Sequence, residues 1–544
     1  MKLLRLLVAP LAGALLVTGV QAQTASDPGA AQRIRADVEF LASDLLEGRD
    51  TGSRGHEIAA SYVASRFKSI GLKPGGENGG WYQQVPFRRA TNAAPPVVSL
   101  AIGSARTPLA YGTDVAVRPS LVEKQRKFEA ALVFVGHGLV DPRLGLNDYA
   151  GIDPRGKIVV ALSGTPKGLA SDVAAHLGSM KDDFAAQRGA IGYLELPSDG
   201  PGARWNSVSA IASRPMIDWV DAQGVTGAGA VARLTRIAVS EAIAARLFKS
   251  SRKGFEALRR EGKGAKAIRG FDIPGRLAVQ ANSDWSQFTS PEVIGLLPGS
   301  DPALAAQHVV LTGHLDHIGI SSSAKPGEDA INNGALDNAS GIATMLEAAR
   351  AFVASGKPPR RSVLFIAHTG EEKGLLGADY FAAHPTVPIG QIVGLVNLDM
   401  PLLLYDFRDV IAFGAEHSTL ARAVGDAGKA MGVAAAADPM PQESLFVRSD
   451  HYRFVTRGVP SVFLMTGYAN GGEAKWKNFL AGVYHSPRDD LSQAIDWTAA
   501  GRFGELNYRI ARTLADADQR PMWYRGSYFG ETFGGGQPRA ERQP

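Results

Sequence analysis

The 544-residue sequence predicts an α/β fold, a mostly parallel or mixed sheet sandwiched by helices, with a β-rich unit inserted into it. Three observations predict this. From about residue 290 onward, short apolar runs of β type alternate with amphipathic helical ones. Between about 100 and 285 the texture changes to short β-rich runs separated by Gly, Pro and Asp clusters. The 45% hydrophobic and 20% charged positions make an ordinary globular composition, on a chain long enough for more than one core.

The same counts exclude whole classes. Collagenous, mainly disordered and polytopic membrane proteins have other compositions. A formal net charge of +5 is too mild to call for a nucleic-acid partner. With no cysteine, disulfides, thiol nucleophiles and Cys-based zinc sites are all excluded, so any metal must sit on His, Asp and Glu.

Taken in order, Lys2 and Arg5 precede an apolar run from Leu6 to Val17, and Val20-Gln21-Ala22 follows. Residues 1–22 therefore read as a cleaved signal peptide. The run is shorter than the ~20 apolar residues of a membrane span, and no cysteine stands nearby to carry a lipid. The mature protein is expected to be periplasmic or secreted, with no stable membrane anchor after cleavage, and a cysteine-free chain suits that oxidising setting.

Ile34, Val38, Leu41 and Leu45 step along one helical face, and the turn-rich EGRDTGSRG (47–55) follows. Ala59, Tyr62, Val63, Phe67 and Ile70 mark a second helix, closed by Gly71 with Pro74 beyond. In the β-rich stretch, ALVFVGHGL (131–139) and KIVVAL (157–162) read as strands, and the lysines and arginines of 241–269 as a solvated helical surface. Later strands are predicted at 308–313, 362–368, 392–398, 409–414 and 460–465, and helices at 339–354, 374–383, 418–431 and 496–515. The Gly-, Pro- and Arg-rich tail, 534–544, is expected to be disordered.

Ligands of such sheets bind beyond the C-terminal strand ends, so the polar residues there are the informative ones. GHLDHIG (313–319) supplies His314 and Asp316, HTGEEKG (368–374) supplies Glu371 and Glu372, and NLDM (397–400) supplies Asp399. GALDNASG (334–341) adds Asp337 just before a helix, and VYHSPRDD (483–490) adds Tyr484 and His485. Carboxylates gathered on one sheet edge repel one another unless a cation neutralises them. Nitrogen and oxygen donors without sulfur suit zinc, and also tolerate manganese or cobalt.

These motifs resemble the M28 family of zinc metallopeptidases, in family order: an H-x-D after a strand, an Asp before N-x-S-G, an E-E pair, an L-D-M and a late Y-H-S-P. The resemblance implies two Zn2+ per chain, with His314, Asp337, Glu372, Asp399 and His485 as ligands and Asp337 bridging both ions. Glu372 and His485 would complete one site, His314 and Asp399 the other. It makes Glu371 the general base, Asp316 the partner that orients His314, and Tyr484 a donor to the tetrahedral oxyanion. His317, His368 and His451 read as supporting groups rather than ligands.

DLLEGRDTGSRGHEIAASYVASRF (44–67) and RSDHYRFVTRGVPSVF (448–463) extend the likeness, which assigns 23–95 plus 286–520 to the metallopeptidase domain. NDYAGIDPRGKIVVAL (147–162) and RGAIGYLEL (188–196) resemble a protease-associated (PA) domain, which would fill 96–285. The implied activity is an exported aminopeptidase acting on peptides, with a metal-bridged hydroxide as nucleophile. A carboxypeptidase or dipeptidase, a glutaminyl cyclase and a non-catalytic binding module are the alternatives, and no G-x-S-x-G turn supports a serine hydrolase.

Overall fold

The computed structural model describes residues 29–196 and 208–542, so the expected signal peptide lies outside the described residues. The chain starts with α1 (Ala30–Leu41), α2 (Arg54–Ile70) and a long strand, β1 (Tyr82–Asn92). It continues through β2 (Val97–Ile102), β3 (Gln125–Phe134), β4 (Ile158–Leu162), α3 (Ser171–Ser179), β5 (Gly192–Leu196) and β6 (Thr235–Val239). A 27-residue strand, β7 (Phe271–Leu297), leads to β8 (His308–His314), α4 (Ser340–Ala354), β9 (Ser362–His368) and α5 (Leu376–Ala383). The last principal elements are β10 (Ile392–Leu398), β11 (Asp409–Phe413), α6 (Leu420–Met431), β12 (Ser461–Thr466) and α7 (Trp497–Asp516).

The main sheet runs β1, β7, β9, β8, β10, β12, β11, with β9, β8, β10 and β12 parallel and β7 and β11 antiparallel to their neighbours. Every residue of the four parallel strands is buried, which is why they read as unbroken apolar runs. Alternate side chains serve opposite layers. Val309, Leu311, Val363 and Phe365 join α1, α2, α4 and α7 in one core, while Val310, Leu364 and Ile366 pack with Ala378 and Phe381 of α5 in the other.

β7 belongs to two sheets. Its first part, 271–282, pairs with β2 and β3, and its second part pairs with β1 and β9. The second sheet continues in parallel from β3 through β4 and β5 to β6, over a core of its own that includes Leu132, Phe134, Val160, Leu194 and Ile237. The basic stretch forms two helices, Glu241–Leu247 and Phe255–Gly262, where Arg259 pairs with Glu241 and Glu256, and Lys253 with Glu261.

Two expectations need correction. Leu45 leaves the helical face: α1 ends at Leu41, Ser43 caps a new turn (Asp44–Arg49) by accepting the Leu45 N–H, and Leu45 is 84% exposed. The tail from Gly534 is ordered as far as the described residues reach, at 542. Arg539–Ala540 pairs with Trp523–Tyr524, and the Arg539 guanidinium donates to the Gly530 and Gly535 carbonyls. Composition predicts disorder there because it cannot register those particular acceptors. No helix among the described residues is long and apolar enough to cross a membrane.

Candidate metal centre

The chemistry-bearing residues meet beyond the C-terminal ends of the parallel strands. His314 ends β8, Asp399 follows β10, and Glu371 and Glu372 follow the end of β9. Asp337 sits in the turn (Ala335–Ala339) that starts α4. Tyr484 and His485 follow the helix Gly472–Gly482, with His485 held in the left-handed region at φ 53°.

Asp337 is central. Its Oδ1 lies 3.1 Å from His314 Nε2 and its Oδ2 lies 3.3 Å from His485 Nε2. His314 Nε2 is also 3.1 Å from Asp399 Oδ1, and His485 Nε2 is 3.2 Å from Glu372 Oε2. Two donor sets thus share one carboxylate. His317 joins the second set: its Nδ1 is 2.7 Å from Glu372 Oε1, and its donor atom falls within 4.8 Å of those of Asp337 and Glu372. Sequence reading treats His317 as a supporting group, whereas the geometry puts it among the donors.

Asp316 does something other than expected. The His314 ring faces the Asp316 backbone carbonyl, 3.0 Å from Nδ1, and the carboxylate is 4.0 Å away. That carboxylate instead accepts from the Thr51 hydroxyl (2.8 Å) and the Glu371 N–H (3.2 Å), so it positions the backbone of Glu371.

Other residues that sequence reading does not single out hold the site together. Asp489 accepts the Leu336 and Asp337 N–H groups, one on each oxygen, both at 2.9 Å. Asn338 donates to the Leu398 and His314 carbonyls and accepts from the Gly341 and Met400 N–H groups, tying three donor-bearing segments together. The buried Arg49 donates to the carbonyls of Leu41, Leu315 (2.9 Å), Asn333 (2.6 Å) and Gly334 (3.1 Å). The Ser449 hydroxyl donates to Asp399 at 2.6 Å. Asp489 and Arg49 lie inside stretches already conspicuous in the sequence, VYHSPRDD and EGRDTGSRG.

Burial sets the electrostatics. It opposes charging His314, yet the Asp399 and Glu371 carboxylates with the Asp337 hydrogen bond raise its pKa well above the usual value. Burial likewise opposes charging His485, but hydrogen bonds that its ring donates to Asp337 and Glu372 lift it to about 10. Burial pushes Glu371 well above the carboxylate range, His314 pulls it down, and Glu372 and Asp399 push it further up. The Tyr484 hydroxyl is held protonated by burial and by the Asp337 and Glu372 charges. Glu371, Tyr484 and Arg448 line one small pocket with His314, Asp337 and Asp399.

The donor set fits divalent zinc. Three imidazoles and three carboxylates converge in a mostly buried place, and the buried His317 Nε2 has no hydrogen-bond partner among the described residues. The model of Peptidase family M28 matches residues 292–511, which contain every one of these donors. This region of the chain belongs to Peptidase family M28. The chain is similar over part of its length to a vacuolar membrane protease of Candida glabrata, 36% identical over 112 residues, which are 21% of this chain and 10% of that protein. It is also similar to a probable zinc metalloprotease of Pyrenophora tritici-repentis, 42% identical over 67 residues, which are 12% of this chain and 15% of that protein. The chain thus spans 10% and 15% of the length of these two relatives. Among solved structures it is similar to the aminopeptidase from Aneurinibacillus sp. strain AM-1 (TM-score 0.49, 20% identity, 92% of this chain and 96% of that one). It is also similar to BSAP, a zinc aminopeptidase from Bacillus subtilis (TM-score 0.43, 17% identity, 90% and 95%).

Proposed function

We propose that this protein is an exported di-zinc exopeptidase that removes N-terminal residues from peptides. The observation that carries the reading is the Asp337 carboxylate set between His314 and His485, with the half-buried Glu371 lining the same pocket. His314, Asp337 and Asp399 would hold one ion, and Asp337, Glu372 and His485 the other, with His317 available beside the second. When bound, zinc lowers the pKa of a water toward ~7 and polarises the scissile carbonyl.

The chain's own residues do the rest. Glu371, as its carboxylate, accepts the proton of the attacking water and delivers it to the leaving amine, and burial, by raising its affinity for a proton, makes it the stronger base. Tyr484 keeps its hydroxyl proton and donates to the oxyanion. Asp316 fixes the backbone of Glu371, so the base stays aimed at the water. The apolar run 6–17 supports export, and the likeness of 147–162 and 188–196 supports a PA-like unit over 96–285.

The experiment is release of amino acids by zinc-loaded protein from one peptide supplied free, N-acetylated or C-amidated, with a chelator control. Chelator-sensitive cleavage that acetylation abolishes and amidation spares is the expected result. One observation favours a second reading: Arg448 lines the metal pocket and could hold a substrate carboxylate. Cleavage that survives acetylation and fails on amidation would move the assignment to a carboxypeptidase. One bound zinc instead of two would favour a glutaminyl cyclase, and no tightly held zinc a binding module.

A further inference from the structure

A cavity of about 370 Å3 lies between the second sheet's unit and the M28 region. It adjoins the metal pocket along two chain segments. Arg448 and Ser449 line the metal pocket while Val447 and Tyr452 line the cavity, and Glu371 lines the first while Leu375 lines the second.

The cavity's charges are unevenly satisfied. Arg236 pairs with Asp182, and Arg453 lies 3.9 Å from Asp379, which also accepts from the Trp219 indole at 2.8 Å. Arg118 donates to the Pro215 carbonyl. Two carboxylates are left over. Asp218 is 3% exposed; its Oδ2 accepts the Ala228 N–H at 2.8 Å, and its Oδ1 has no partner among the described residues. Asp183 is half-buried with no ion-pair partner among the described residues; burial, then Asp182, raise it to about 6 against the opposing Arg236 and Arg453 charges. An unpaired buried carboxylate is costly, and a cation arriving with its own hydrogen-bond donors removes that cost.

We propose that this cavity receives a basic side chain of the peptide, downstream of the residue being removed, with Asp218 and Asp183 as its partners. The proposal rests on the peptidase reading for its substrate class. A volume near the lower end for small-molecule sites suits one long side chain with its flanking backbone. Arg118, whose Nε is also without a partner, is left to face a peptide carbonyl or the terminal carboxylate.

The test is calorimetric binding to the full-length, zinc-loaded protein of leucine-initiated hexapeptides in which lysine or glutamate is scanned through positions 2–6. The first amide is N-methylated so that no turnover intervenes. Lysine at one position should bind about tenfold more tightly than glutamate there, and Asp218→Asn and Asp183→Asn should each reduce that ratio to below about threefold. Equal binding of the two series at every position, or a ratio kept in both variants, overturns the proposal. The same peptides without the methyl group are assayed for cleavage in parallel. If they are not cleaved, the peptidase reading fails, while the lysine preference still decides the cavity's role.

Discussion

Replacing Asp489 by Asn isolates a residue that lies outside the donor set yet fixes the backbone of its central carboxylate, Asp337. Asp489 is fully buried, and its two oxygens each accept one N–H, from Leu336 and Asp337. An amide offers one oxygen and turns an NH2 toward the other donor, so one buried N–H loses its acceptor at a cost of about 1–3 kcal/mol. Felt at Asp337, that cost weakens zinc binding by about 10–100-fold. Burial already pushes the Asp489 carboxyl up to about 6, so losing its charge offsets part of the cost to the fold. Fold stability should therefore change less than zinc affinity. Competition against a chromophoric chelator measures the affinity, and thermal denaturation in excess chelator measures the fold. Asp490→Asn, next in sequence and bonded only to Ser492 and its own turn, should stay within about twofold of the wild type. A zinc affinity in Asp489→Asn equal to the wild type would refute the reasoning.

Three further outcomes follow from the same geometry. Glu371→Gln should keep the zinc content of the wild type and lose about 10²–10⁴-fold in kcat, measured on a leucine anilide with zinc content checked by elemental analysis. Arg49→Lys leaves buried carbonyls without donors and should lower Tm by roughly 5–10 °C, as read by calorimetry. Asp172 supplies a pH test: burial, with Glu416 and Asp438 adding, raises its carboxyl from 3.8 to about 7. The folded state therefore holds a proton that the unfolded chain releases, and stability falls as pH rises from about 4 to 7. The full shift corresponds to about 4 kcal/mol, which solvent screening reduces to about 1–2 kcal/mol. Asp172→Asn should thus be more stable than the wild type at pH 8 and no different at pH 3.5, by denaturant midpoints; a pH-independent difference would count against it.

The parts of this protein that were legible in the sequence are those whose cause is local. A parallel strand buried on both faces must be apolar at every position, so HVVLTG and SVLFIAH announce β8 and β9 unaided. His314, His317, Glu372 and Asp399 lie at or within four residues of strand ends, where backbone gives way to exposed chemistry, whereas Asp337 and His485 are marked only by their loop motifs. What holds the donors has no such local mark. Asp489 meets the N–H groups of residues more than 150 positions away, and Arg49 reaches carbonyls more than 280 positions away. Each residue lies in a conspicuous stretch, but nothing in that stretch says which distant backbone it meets. Asp316 fails differently. Its proximity to His314 is encoded in the H-x-D spacing, but that spacing fits both an imidazole facing the carboxylate and one facing the carbonyl. The choice is made by Thr51, which draws the carboxylate toward α2's approach and away from the ring, to where it can hold Glu371. The H-x-D spacing thus specifies a donor and a nearby acid, and the packing of the 44–53 turn against it decides which atom of that acid serves the histidine and which serves Glu371.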